Sequence, residues 1–369
     1  MLESIWVALL SLLDVISGAI LALSFGFLLL PSAIGFIVGG IGTLLSGSVT
    51  PLSFQQEGLA LSWNLSKDMR PRVSMILGAA LITGLLGIFG LPQWIVDTVG
   101  AEIFLAMLAG VGLYLTKVGF DIAKEDWWVG LPCLVTAVFI QLWTNNLVWA
   151  ITASVPLGIL IKYIRDRLNK EVRDQKNNEL KLQVPEYKSW KEAWATEFKV
   201  FKPIINISVI VGALALATLT LGGNIAYTAI NQDMAAVGPT YNQVSVISGI
   251  ADFASSLFGG GSMEVIVSAT AATPNPVISG VLLMFGAALI ILTGLIFKIA
   301  KYVPIAAMGG YLVAIGAILV FPFNAMDAFG AGNPMVVALT MGVTLFTNPF
   351  YGLVSGVLVK LIMGLLGIL

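Results

Sequence analysis

Glu264 stands where a charge is hard to keep. It follows three glycines in the stretch Phe253 to Pro276, F-A-S-S-L-F-G-G-G-S-M-E-V-I-V-S-A-T-A-A-T-P-N-P, with apolar runs on both sides long enough to span a bilayer. Lipid leaves amides and ionised groups without partners, so a glycine-broken segment carrying an acid persists only where it lines a protein or water-filled cavity. We therefore place a solute-binding centre here, with Glu264 able to hydrogen-bond a polar solute or carry a proton. A second cluster has the same make-up: Pro51 precedes Ser53-Phe54-Gln55-Gln56-Glu57-Gly58. Extended backbone leading into a short helix turns unpaired amides toward a ligand. Phe54, Gln55, Gln56, Glu57, Ser262 and Glu264 are thus expected at the solute. Glu57, about ten residues before Lys67, also suits an acid snorkelling to the interface. A third group, Tyr227-Thr228-Ala229-Ile230-Asn231-Gln232-Asp233, sets Tyr227 and Asn231 on one helix face. Its plain alternative is a polar helix end at the membrane surface. Asp14 and Asp252 are further acids within spans.

The elements that hold these groups must be membrane helices. With 58% hydrophobic and 11% charged residues and a mean hydropathy of +0.95, the chain is far more apolar than a soluble domain. There is no histidine, and Cys133 is the sole cysteine, which excludes His-ligated zinc hydrolysis, a cysteine-rich metal site and an internal disulfide framework. No P-loop, nucleophile motif or filter-like repeat is present. We expect neither an enzyme nor a cofactor, and with a net charge of -1 no nucleic-acid partner. Met1 to Trp6 lacks a basic n-region and no A-x-A site follows, so the first span is expected to be retained.

About 20 apolar residues cross the hydrocarbon core as a helix. With Pro, Gly and charge as punctuation, fourteen segments result: Ile5–Leu30, Ala33–Leu45, the short interrupted Pro51–Trp63, Val73–Gly90, Glu102–Gly119, Trp128–Trp143, Leu147–Ile164, Pro203–Ile230, Tyr241–Phe258, the short interrupted Ser262–Ala272, Val277–Ile299, Val303–Phe321, Met335–Phe346 and Tyr351–Leu369. Residues 1–164 form a first set of seven and 203–369 a second, joined by a polar linker, 165–202. Lys162 to Lys202 holds eleven of the nineteen basic residues, so it reads as a solvated connector; Trp190 to Phe198 has the make-up of a helix lying on the membrane. Lys67, Arg70, Arg72, Lys117, Lys124, Lys298 and Lys301 also follow odd-numbered segments, which puts those loops in the cytoplasm and the termini outside. Trp127, Trp128, Trp143 and Trp149 fit an interfacial belt.

The two sets look related. A shift of 209 residues lays Gly40–Gln55 over Gly249–Glu264, with Gly40, Ile41, Ser46 and Ser53 matching identical residues and Gln55 facing Glu264. Trp143-Thr144-Asn145 likewise resembles Phe346-Thr347-Asn348, each opening a final span with a lysine, Lys162 or Lys360. Seven is odd, so two such repeats insert with opposite topology, and solute then sits near the midplane where interrupted segments meet. The fold class is an all-α polytopic membrane protein, a seven-plus-seven inverted repeat with two short interrupted helices at the site.

Gly39-Gly40-Ile41-Gly42-Thr43-Leu44-Leu45 followed by Pro51 resembles the second and third segments of the xanthine/uracil/vitamin C permeases, the nucleobase-cation symporter-2 family. Gly249-Ile250-Ala251 through Gly260 with a following acid is similar to their ninth and tenth, and Pro304 to Gly310 to the opening of their twelfth. The resemblance implies a core (segments one to four and eight to eleven) moving against a gate (five to seven and twelve to fourteen). It also implies nucleobase transport, usually with protons, through acids in the eighth and tenth segments. The eighth-segment position falls near Asn231, Gln232 and Asp233, and the tenth-segment acid is Glu264, with Ser268 at the depth that acid usually occupies. Proton coupling then falls to Glu264 and Asp233.

The expected function is a proton-coupled permease of a purine or pyrimidine in the cell membrane. The alternative is an anion transporter or exchanger of the same architecture, holding sulfate, bicarbonate or a carboxylate between two half-helix N-termini. Expected partners are a small-molecule solute, protons or another coupling ion, the lipid bilayer and a homodimer mate.

Overall fold

The computed structural model describes residues 2–144, 147–168, 190–198, 200–238, 240–300 and 302–367. Asn145 of the repeat match, Lys301, and linker residues 169–189 and 199 lie outside them, as does the side chain of Asp14. In the first half, α1 (Leu2–Ser24), α2 (Leu29–Ser46), β1 (Leu52–Phe54) with α3 (Gln56–Leu65), and α4 (Met69–Ile88) precede α5 (Leu91–Val99), α6 (Ala101–Ala123), α7 (Trp127–Thr144) and α8 (Leu147–Leu168). The linker contributes α9 (Trp190–Glu197). The second half holds α10 (Ile207–Ala235), α11 (Tyr241–Ser256), β2 (Met263–Val265), α12 (Pro276–Leu292), α13 (Leu295–Ala300), α14 (Ile305–Ala314), α15 (Phe321–Ala331), α16 (Pro334–Phe346) and α17 (Pro349–Leu365).

The chain is an all-α polytopic membrane protein of the seven-plus-seven type. Its packing repeats between the halves. α2 lies on α11; α4 packs on α10 and α11, as α12 packs on α1 and α2; α14 packs on α7 and α8, as α6 packs on α16 and α17; and α6 meets α14. Five helical stretches, such as Ile207–Ala235, are long and apolar enough to cross a bilayer alone. α16, at 13 residues, is only about 20 Å long, short of a hydrocarbon core of about 30 Å. The turn into α17 therefore brings Asn348, which caps α17 by accepting the Tyr351 N–H, into the protein rather than to an outer surface.

The two interrupted segments meet as antiparallel strands, with Leu52 opposite Val265, Ser53 opposite Glu264 and Phe54 opposite Met263. Each strand gives the other's amides the partners that lipid cannot. Gln55 N–H to Ser262 O (2.9 Å) and Ile266 N–H to Pro51 O (3.1 Å) extend the ladder. Ser53 sits opposite Glu264 in this ladder, and Phe54 sits opposite Met263, a pair that the 209-residue overlay also matches. Gly259 adopts φ +86, and a Cβ on Gly260 would lie 2.4 Å from Ser255 Oγ, so neither position admits a side chain and the chain turns tightly into β2.

Three local expectations change. Ser262–Ala272 forms β2 and one 3₁₀ turn, Ala269–Ala272, so only the first interrupted segment carries a helix of several turns. Phe323–Asn333, expected as a loop, is mostly helical, because a π-helical stretch at Ile315–Val320 carries segment twelve on into α15. Gly90–Glu102 contains α5, started by Pro92 and tied down by Gln93 N–H to Asn242 Oδ1 at 3.1 Å. The linker's α9 is docked as well: Glu197, wholly buried, accepts the Leu30 N–H at 2.7 Å in the first turn of α2, and Phe198 stacks on Trp194.

Candidate functional site

One face of α10 collects the polar groups. Thr220, Gly223, Asn224, Tyr227 and Asn231 recur at helical spacing and turn toward the strand pair, α3 and α11. Thr220 Oγ1 accepts from Gln55 Nε2 at 3.1 Å. Gln55 Oε1 accepts from the Ser262 hydroxyl at 2.9 Å, and Ser262 also lies 3.3 Å from Asp252 Oδ2. Asp252 takes the Met263 N–H at 3.0 Å, so this buried acid braces the start of β2. Asn224 Nδ2 donates to Ser248 Oγ at 2.9 Å. Asn231 fixes the far end of the broken segment, donating to Ile266 O (2.7 Å) and accepting the Ser268 N–H (3.0 Å).

Glu264 is 2% exposed and lies beside Gln55, and its Oε1 has no hydrogen-bond partner among the described residues. That oxygen rests on bare backbone. A Cβ on Gly223 would come 1.7 Å from it, so the absence of a side chain at 223 makes room for the acid.

The pocket lies beyond Gln55, on the other side of the first turn of α3. Glu57, Leu61, Val111, Tyr114, Leu219, Thr344, Thr347, Asn348 and Pro349 line a cavity of about 10 Å³, room for about one water molecule. Glu57 lies close to Tyr227 there, and Asn64, beside Tyr114, donates to Ala60 O at 3.1 Å. The lining contains one acid and no lysine or arginine. Gln55, the N-cap of α3, supplies no side-chain cap, and Glu57 in the first turn of that helix is its contribution to the lining nearest the N-terminus.

Of the residues expected at the solute, Glu57 lines the pocket and Tyr227 lies close to it. Gln55, Ser262 and Glu264 form the buried cluster behind, and Phe54 packs edge-on against Phe36 at 5.3 Å. The Gln56 amide oxygen accepts from the Tyr311 hydroxyl at 3.1 Å. Ser268 caps the 3₁₀ turn. Gln232 hydrogen-bonds Thr240, and Asp233 is exposed at the end of α10, apart from the cluster. Thr220, Gly223, Tyr114, Thr344, Thr347 and Asn348 escaped the sequence reading. The i, i+3, i+7 spacing of Thr220, Gly223 and Tyr227 was the available signal for α10, and Asn348-Pro349 for the start of α17.

Comparison with solved structures bears on the family. The transmembrane domain of a cyanobacterium bicarbonate transporter, BicA, aligns over 96% of both chains with a TM-score of 0.64 at 14% identity. Murine Slc26a9, an anion transporter in the inward-facing state, aligns over all of this chain and 69% of its own with a TM-score of 0.58 at 12% identity. The likeness is one of fold. No family model matches the chain, and no curated protein matches its sequence. These neighbours overturn the resemblance to xanthine/uracil/vitamin C permeases and, with it, the nucleobase function: the seven-plus-seven fold is common ground, but the neighbours are anion transporters. The bonding agrees. The amides of Gln55, Gln56 and Asn231, expected to read a purine or pyrimidine, are engaged by Thr220 and Ser262, by Tyr311, and by the 266–268 backbone.

Proposed function

We propose that the chain is a secondary transporter of a small anion such as bicarbonate, sulfate or a short carboxylate, which binds beside the first turn of α3. The pocket carries this reading. In this state it has room for about one water molecule, and its lining offers two threonines, a tyrosine and Asn348, beside the first turn of α3, to a compact oxyanion. The fold of its neighbours supports the same class of solute.

Two groups of helices line this pocket. Glu57, Leu61 and Leu219 belong to the core of α1–α4 and α10–α12. Val111, Tyr114, Thr344, Thr347, Asn348 and Pro349 belong to the gate of α6–α8 and α14–α17. In our reading the gate moves against the core around the bound anion. Like charges repel, so the anion enters with Glu57 neutralised by a proton or another cation. Glu264, held behind Gln55, can exchange that proton with the pocket, whereas Asp233 has no path to it on this geometry.

A thermal-shift series on purified protein tests the solute class. Bicarbonate, sulfate or acetate at about 100 times its dissociation constant should stabilise the fold by roughly 2.7 kcal/mol, while uracil and xanthine should leave it unchanged. Stabilisation by the bases and by none of the anions would reverse the assignment.

A further inference from the structure

Tyr311 is a wholly buried tyrosine on α14, and its hydroxyl leaves its own helix group altogether. It donates to Gln56 Oε1 at 3.1 Å and lies 3.5 Å from the carbonyl oxygen of Ser17 on α1. Both partners belong to the opposite group. Gln56 opens α3, one residue before Glu57, so the same helical turn presents one side chain to the gate and the next to the pocket. Ser17 is followed by Gly18, where a Cβ would meet Phe54 Cβ at 2.8 Å; α1 and β1 are thus in contact beside this point. Tyr311 therefore reaches the junction of α1 with the strand that leads into the pocket.

We propose that Tyr311 is a latch between the two helix groups, holding Gln56 and Ser17 in the state described and releasing them when the pocket changes sides. The proposal rests on the core-and-gate reading above. A tyrosine suits the task because its ring packs as an apolar body while its hydroxyl needs a partner once buried. If the groups slide, that hydroxyl and the Gln56 amide part together, and the hydrogen bond between them is among the contacts that separation breaks. Tyr311→Phe keeps the ring and removes only the latch.

Ser17→Cys is a direct reporter. Ser17 is 2% exposed and contributes its backbone oxygen to the contact, so the substitution leaves the latch in place. Cys133, the sole native thiol, is itself buried and is replaced by alanine in this background. Reaction with a small maleimide then measures the unlatched fraction. Losing one buried hydrogen bond shifts a two-state equilibrium about 2- to 10-fold. Tyr311→Phe should raise the labelling rate of Ser17→Cys by that factor, Gln56→Ala should do the same, and the double variant should add nothing further. Monodisperse variants with an unchanged or slower rate, or with additive effects, would overturn the latch. The readout needs no solute, so its failure is distinguishable from failure of the anion assignment.

Discussion

Gly223→Ala probes the cluster at its tightest point. The new methyl carbon would stand 1.7 Å from Glu264 Oε1 and 2.6 Å from its Cδ. A carbon and an oxygen in contact keep about 3.3–3.6 Å, so roughly 1.6 Å must be found in a buried place. α10 is fixed by bonds at Thr220, Asn224 and Asn231, which leaves Glu264 to move. Overpacking of this kind costs about 1–3 kcal/mol. We expect Gly223→Ala to destabilise the protein by about 1–3 kcal/mol in thermal unfolding followed by tryptophan fluorescence. Glu264→Ala in the same chain should recover at least about 1 kcal/mol of it, because the clash has then lost its partner. A Gly223→Ala variant as stable as the parent, or one that Glu264→Ala does not rescue, would refute the placement of Glu264 on α10.

Glu197→Ala should cost about 0.5–2 kcal/mol by uncapping α2 and loosening α9, while Glu197→Gln, which keeps an acceptor for the Leu30 amide, should cost less; chemical denaturation of both variants checks this. Orientation follows from charge. Eighteen of the nineteen basic residues belong to the linker or follow odd-numbered segments in the sequence: Lys67, Arg70, Arg72, Lys117, Lys124, the eleven from Lys162 to Lys202, Lys298 and Lys301. The other, Lys360, is paired with Glu102 at 2.5 Å near the end of α5. A tag inserted after Leu180 should be protected from impermeant reagents in intact cells and exposed once the membrane is opened. Labelling in intact cells would place the linker outside.

Span content was legible because a bilayer imposes a length and a polarity on each segment, and Pro51 and Gly259–Gly261 marked where the backbone must break. That the two breaks hydrogen-bond to each other as strands was not legible, because three glycines carry no strand pattern. Glu264 looked like the solute ligand because sequence shows a charge among apolar residues. It does not show that Gly223 clears a seat for it from another helix. Glu57 read both as a solute ligand and, from its distance to Lys67, as an interfacial acid; α3 carries it to the pocket. The gate side of that pocket went unseen because Tyr114 is about 230 residues from the turn that carries Thr344, Thr347 and Asn348, and single threonines in apolar helices commonly bond their own backbone, as Thr344 does to Thr340 O at 2.8 Å.

Anion flux into proteoliposomes tests the central claim most directly. With labelled bicarbonate or sulfate and an inward proton gradient, the parent protein should accumulate the anion, and Glu57→Gln should abolish the dependence on the gradient while leaving anion exchange intact. Uptake of uracil or xanthine without any anion flux would contradict the proposal, as would gradient-driven anion uptake undiminished by Glu57→Gln.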